Sequence, residues 1–199
     1  MKRTILLLLS LVCLGCNSRG LKNGDIIFQV SKSNQSKAIQ LATNSPYSHM
    51  GIVYIENDKA FVFEAVQPVK TTLLNEWITR GEDNHYVVKR LKKDLQILTP
   101  DVLNKMKKVG DQFMGKDYDL YFEWSDERIY CSELVWKIFK QGAGVEIGSL
   151  QKISEFDLSH PVVQQKIRER YNDQLPTEEL VISPARMFNS DKLFTVVSK

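Results

Sequence analysis

Cys131 is the residue with the clearest capacity for chemistry, because it is the one cysteine outside an apolar N-terminal leader. The other two cysteines, Cys13 and Cys16, lie inside that leader and at its end. Exported proteins usually pair their cysteines or lose them, since the compartment outside the cytoplasm is oxidising. A single retained thiol therefore suggests a nucleophile.

A helix is predicted to begin at Cys131 and to run to residue 141, with Gly142 as its C-cap. Its apolar positions follow the spacing i, i+3, i+4, i+7 and i+8, and they are Cys131, Leu134, Val135, Ile138 and Phe139. A thiol in the first turn lies near unpaired backbone N–H groups and the positive end of the helix dipole, which favour the reactive thiolate. A cysteine on an apolar stripe is also commonly just a small buried hydrophobe, and position alone does not separate the two interpretations.

His49 and Glu64 lie on two strand-like segments, 49–55 and 60–66, that flank the sequence Glu56-Asn57-Asp58-Lys59. If Asn57 and Asp58 form a two-residue hairpin turn, Gly51 faces Glu64. The side chains of His49 and Glu64 then become diagonal neighbours on one sheet face. A carboxylate there would orient the imidazole and support its charged form, completing a Cys-His-acid arrangement. We expect the N-terminus of the Cys131 helix to cover that face. A four-residue loop of odd register would put the two side chains on opposite faces. The alternative interpretation is a surface carboxylate and a solvated histidine at a strand end.

The remaining elements support an α+β fold. Strand patterns are predicted at 25–30, 85–91 and 193–197, and helical patterns at 35–43, 102–113 and 161–171. Strands dominate the first half and helices the second, which favours an antiparallel sheet over alternating βαβ units.

Five blocks in this order resemble the YiiX/YaeF-like enzymes, which are circularly permuted relatives of the NlpC-type papain-fold cysteine peptidases and amidases. The blocks are GDIIF at 24–28, ATNSPYSHMGIV at 42–53, FEA at 63–65, GKDYDLYF at 115–122 and YCSELV at 130–135. The resemblance implies a permuted papain-like fold in which an antiparallel sheet packs against the helix carrying the cysteine. It also explains why the histidine precedes the cysteine.

By matching position, the resemblance implies that Cys131 is the nucleophile, His49 the base and Glu64 the residue that orients it. Tyr118 and Tyr130 fall in matching blocks and are candidate substrate-binding residues. The implied reaction is acyl transfer through a thioester, without a cofactor, on a small peptide, an N-acyl amino acid or a lipid. An amidase or peptidase acting on cell-wall-type peptides or N-acyl amino acids is the first expectation. A lipid acyltransferase or phospholipase and a non-catalytic binding module are the alternatives.

Residues 1–15 are predicted to be a signal peptide, because a charged start is followed by a short apolar run and by Gly15-Cys16. The Gly15-Cys16 junction resembles a bacterial lipobox, which implies lipidation of Cys16 and a short tether over 16–23 before a catalytic domain at 24–199. The alternative is an ordinary secretory leader. A lipidated terminus places the protein at a membrane of the bacterial envelope, and Asn17 tilts this weakly towards the outer membrane.

The composition argues against two classes of site. A formal net charge of +3 is too small for a protein that neutralises many phosphates, so no nucleic-acid partner is expected. The three histidines, His49, His85 and His160, lie far apart without partners at metal-ligand spacing, so no metal is expected.

Overall fold

The computed structural model describes residues 20–199 and is built around a six-stranded antiparallel sheet. The strand order is β4-β3-β2-β1-β5-β8, and β6 and β7 form a separate pair. The strands are β1 (Ile26–Ser31), β2 (His49–Glu56), β3 (Lys59–Glu64), β4 (Lys70–Leu73), β5 (Gly81–Leu91), β6 (Gln151–Lys152), β7 (Leu180–Val181) and β8 (Leu193–Ser198).

Helices lie on both faces of the sheet and at its end. They are α1 (Ser36–Thr43), α2 (Leu74–Thr79), α3 (Asp94–Ile97), α4 (Pro100–Asp111), α5 (Cys131–Ile138), α6 (Pro161–Tyr171) and α7 (Pro184–Phe188). A π-helical turn, Phe139–Ala143, continues α5, and a short 3-10 turn covers Ile153–Glu155.

The predicted C-cap at Gly142 is wrong. Gly142 lies inside the π-helical turn, and Gly144, with a φ of 69°, is the left-handed residue that ends it. A glycine is needed at position 142 for a different reason, because a Cβ there would lie 2.6 Å from the Cα of Met106 on α4. Close packing of two helices, rather than chain termination, therefore explains this glycine.

The two faces of the sheet bury separate clusters. Met50, Ile52 and Phe63 point towards α4 and α5, where they pack with apolar residues that include Leu134 and Ile138. The opposite face carries a smaller cluster that contains Val53, Val62 and Trp77 of α2. Alternation along β2 thus sends successive side chains to different helices.

The α+β architecture and the antiparallel sheet against the cysteine helix are as predicted. The sequence patterns missed β4 and α2, because the segment Lys70–Leu73 carries a single apolar residue and α2 is only six residues long.

The start of the packed domain lies earlier than the predicted residue 24. Leu21 is buried, and the Gly20 carbonyl accepts a hydrogen bond from Arg90 at 2.7 Å. The predicted signal peptide and Cys16 lie outside the described residues. Within residues 20–199, no helix is both long enough and apolar enough to cross a bilayer.

Candidate active site

The β2–β3 hairpin brings His49 and Glu64 together. Glu56 pairs with Lys59 and Ile52 with Phe63, so Asn57 and Asp58 form a two-residue turn, and both have the positive φ that such turns require. The predicted register is confirmed. Across Gly51, His49 Nε2 lies 2.7 Å from Glu64 Oε2.

Glu64 is fully buried and is held by three partners. Its Oε1 accepts hydrogen bonds from the Thr72 hydroxyl at 2.6 Å and from the Arg80 guanidinium, while Oε2 faces His49. Burial by itself raises the pKa of this carboxyl, but the His49 ring, the Thr72 hydroxyl and the Arg80 charge outweigh it and lower the pKa to about 2. Glu64 is therefore an anion at all physiological pH values.

The His49 ring is buried beside this anion and stacks on Trp77, with 5.9 Å between the ring centroids. Burial by itself lowers the pKa of the ring, but the Cys131 and Glu64 side chains raise it to about 9. Because Nε2 is bonded to Glu64, Nδ1 is the ring nitrogen that remains for Cys131. The ring is consequently an imidazolium at neutral pH when both neighbours carry negative charge.

Cys131 is the first residue of α5, and its side chain is buried. The N-cap is Tyr130, whose backbone N–H faces Glu133 Oε2 at 3.4 Å. The thiol therefore lies at the helix N-terminus, where free N–H groups and the dipole favour negative charge.

The N-terminus of α5 meets His49 as expected, but the body of the helix does not cover the sheet face of His49 and Glu64. These side chains share the face of Val53 and Val62, which packs on α2 through Trp77, whereas α5 covers the opposite face. His49 and Cys131 nevertheless interact. Each is the first residue of its element, so the two meet at the end of the sheet instead of across its face.

Tyr118 and Tyr130 both line a pocket that opens on Cys131. Tyr118 lies next to the thiol, and the hydroxyl of Tyr118 accepts a hydrogen bond from Gln35 Nε2 at 3.0 Å. Tyr130 is only 2% exposed, and its hydroxyl accepts the Ile182 N–H at 3.1 Å. Tyr130 thus supports the pocket wall, and Tyr118 presents a polar group beside the sulfur.

The pocket is strongly apolar and has a volume of about 140 Å³. It lies between α1, α6 and the start of α5, with Cys131 in its wall. Its apolar lining includes Ala38, Ile39, Ala42, Phe156, Val163 and Ile167.

Sequence reasoning missed four residues that support this arrangement: Thr72, Arg80, Gln35 and Arg170. Thr72 lies opposite Val62 in the β3–β4 ladder, so alternation places it on the face of Glu64, but β4 itself was not predicted. Gln35 and Arg170 are 135 residues apart and have no signal in local spacing.

The comparisons with known proteins agree with this fold. A family model described as permuted papain-like amidase enzyme, YaeF/YiiX, C92 family, matches residues 20–197. The uncharacterized protein YiiX of Escherichia coli strain K12 is 46% identical over 199 residues, which cover 100% of this chain and 97% of that protein.

A crystal structure of YiiX from Escherichia coli O157:H7, described as a metalloprotein, has a TM-score of 0.86 and 48% identity and covers 90% of this chain and 98% of that one. These matches extend across the sheet, the cysteine helix and the pocket helices. The chain therefore belongs to the permuted papain-like amidases of the YaeF/YiiX, C92 family.

Proposed function

We propose that the protein hydrolyses an amide bond through a thioester formed on Cys131, with His49 as the proton carrier and Glu64 as the residue that orients it. The observation that carries the proposal is the position of the thiol. It lies between a histidine bonded to a buried carboxylate and an apolar pocket. A non-catalytic module would not need this arrangement, which holds a buried charge at a desolvation cost.

The His49 ring is an imidazolium in the resting enzyme, beside the Cys131 sulfur. The raised pKa of His49, about 9, supports this state, since the ring holds its proton at neutral pH. The sulfur attacks the substrate carbonyl, and Nδ1 of His49 then donates its proton to the departing amine as the C–N bond breaks. Water attacks the thioester, giving its proton to His49, and the acid is released as the thiolate reforms.

One backbone donor is available to stabilise the oxyanion. The backbone N–H of Cys131 has no intrahelical partner because it belongs to the first turn. Donors fixed before reaction stabilise the developing charge without reorganisation, which supports acyl transfer as the chemistry.

The pocket favours substrates with an apolar acyl group. Cell-wall-type peptides carry charged groups whose burial among Ile39, Phe156 and Ile167 would cost several kcal/mol each. A cavity of about 140 Å³ is close to the roughly 150 Å³ that accommodates a benzene molecule, so it encloses about six carbon atoms. We therefore place N-acyl amino acids and related N-acyl amides ahead of wall peptides.

The same pocket supports a second function, hydrolysis or transfer of a lipid ester. An acyl chain would occupy the pocket equally well, and a thiolate attacks esters as well as amides. The two functions differ in the leaving group, so a substrate pair that shares one acyl chain and differs only in the bond separates them.

The test is a series of N-acyl amides with acyl chains of increasing length and one amine. Each added CH₂ should raise kcat/KM about fourfold until about six carbons are enclosed, after which the gain levels off. Ala42→Phe fills the pocket and should shift the preference to short chains. Lys37→Phe, on the exposed side of the same helix α1, should leave the preference unchanged. No dependence on chain length would exclude the pocket as the acyl site.

Metal chemistry does not fit the side chains of residues 20–199, although the related YiiX structure is described as a metalloprotein. Within residues 20–199, no three His, Cys, Asp or Glu side chains converge as metal ligands. At the proposed site, Nε2 of His49 is bonded to Glu64, which leaves only Nδ1 and the Cys131 sulfur as donors. Two donors fall short of the three or four protein ligands that zinc sites use.

We further propose that lipidation of Cys16 holds the enzyme at a membrane of the bacterial envelope. The packed domain begins by Gly20, so few residues would separate the lipid from the fold. A catalytic domain held close to a bilayer suits substrates with acyl chains.

A further inference from the structure

A hydrogen-bonded chain of three side chains leads from α6 to the reactive thiol. Arg170 Nη2 donates to Gln35 Oε1 at 2.8 Å, and Gln35 Nε2 donates to the Tyr118 hydroxyl at 3.0 Å. Tyr118 lies beside Cys131, and its backbone bridges Ile129 two residues before that cysteine. The chain therefore connects a distant helix to the atom proposed as the nucleophile.

Arg170 determines which way round the Gln35 amide lies. A guanidinium has only donors, so the atom of Gln35 that faces it must be the carbonyl oxygen. The NH₂ group must then face Tyr118. Arg170 is itself held by a second bond, from Nη1 to the Leu120 carbonyl at 2.8 Å, and its guanidinium lies 5.7 Å from the Phe122 ring centroid.

The orientation of the amide determines the direction of the Tyr118 hydrogen bond. Because Gln35 donates to it, the hydroxyl oxygen is an acceptor on that side, and its own proton is free to point elsewhere. The neighbour on the other side is Cys131. Burial and the charge of Cys131 raise the pKa of Tyr118 well above 10, so the hydroxyl keeps its proton and remains a donor.

We propose that Arg170 and Gln35 are positioning residues that force the Tyr118 hydroxyl to donate its hydrogen bond towards the Cys131 sulfur. The inference extends the proposed function, since it assigns to two residues outside the Cys-His-Glu group the task of stabilising the thiolate. No proton is transferred along the chain. The effect is a fixed hydrogen-bond direction.

The decisive variant is Gln35→Glu, which keeps the size of the side chain and its partner Arg170. A carboxylate accepts on both oxygens, so the Tyr118 hydroxyl would turn to donate to it and the bond towards Cys131 would be lost. The readout is the alkylation rate of Cys131 by iodoacetamide across pH, which requires no substrate. The pH at half-maximal alkylation should rise by about one unit, because a hydrogen bond to a charged group is lost.

Tyr118→Phe should produce the same rise, and adding Gln35→Glu to it should produce no more. An added negative charge acting through space would instead raise the midpoint again in the double variant. Arg170→Met frees the amide to rotate and should give a smaller rise. Tyr171→Phe is the matched control, since it removes a hydrogen bond from α6 to the Tyr121 carbonyl without touching Gln35.

A Gln35→Glu profile equal to that of the wild type, or additive effects in the double variant, would overturn the proposal. Urea denaturation of each variant separates loss of folding from loss of the hydrogen bond. If no amide is hydrolysed but the alkylation profiles shift as described, the proposed function fails and the positioning role stands. If amides are hydrolysed and the profiles do not shift, only the positioning role fails.

Discussion

Replacing Glu64 with glutamine tests how the carboxylate controls the histidine. The difference between a pKa of about 9 and the ordinary 6.5 amounts to about 3 kcal/mol in favour of the His49 imidazolium. At pH 7, a ring with a pKa of about 9 is about 99% protonated, whereas a ring with the ordinary pKa is about one-quarter protonated. Glu64 is one of the two side chains that raise the His49 pKa, and the burial that opposes the rise would remain.

The geometry adds a second effect in Glu64→Gln. Thr72 and Arg80 both donate to Oε1, so the glutamine would place its oxygen there and turn its NH₂ towards His49 Nε2. The ring would then accept at Nε2 and carry its proton on Nδ1, the nitrogen that must accept from the thiol. Turnover should fall about 10²- to 10⁴-fold, the usual contribution of general acid–base catalysis.

The assay is kcat/KM on an N-acyl amide together with the pH profile of Cys131 alkylation, and urea denaturation reports stability. Glu133→Gln is the matched control. Glu133 is another fully buried carboxylate, which lies 2.7 Å from Lys137 instead of beside His49. Burial raises its pKa to about 8 despite Lys137, so glutamine resembles its neutral form. The control should leave the pH profile in place. Wild-type turnover in Glu64→Gln would refute the role assigned to the carboxylate.

Three further predictions concern the pH dependence of hydrolysis, the pH dependence of stability and membrane anchoring. Hydrolysis should decline as the pH rises through about 9, where His49 loses the proton that the leaving amine needs, and a rate that is still rising above pH 10 would contradict this. The contribution of His49 to stability should be complete below pH 6.5 and should be lost as the pH rises through about 9. The contribution of Glu64 should be complete above pH 4.5 and should be lost as the pH falls through about 2. Urea denaturation at a series of pH values measures both. Cys16→Ser should release the protein from membranes into the soluble fraction, since the lipid would be absent, and equal partitioning of mutant and wild type into detergent would argue against the lipid anchor.

The β2–β3 hairpin and the start of the cysteine helix were predictable, because local sequence rules determine both. A two-residue turn at Asn57 and Asp58 sets the register of the hairpin, and the register brings His49 and Glu64 together. The spacing of apolar residues likewise identified the helix that begins at Cys131. Both are short-range effects, so they need no knowledge of how distant segments pack.

The sheet face and the supporting residues depend on long-range packing and were not predictable. Nothing in the order of residues shows that α2 inserts Trp77 against His49, or that Arg80 follows it to reach Glu64. The link between Gln35 and Arg170 joins α1 to α6 across most of the chain. Such contacts form only once the sheet has assembled, and their sequence signals are weak.

The most direct test of the central claim is to identify the atom that carries the acyl group during turnover. Acid-quenched reactions with an N-acyl amide should show a mass increase equal to the acyl group, on the peptide that contains Cys131, and neutral hydroxylamine should remove it as expected for a thioester. Cys131→Ala should show neither the adduct nor hydrolysis. An acyl group on another residue, or hydrolysis by Cys131→Ala at the wild-type rate, would contradict the account.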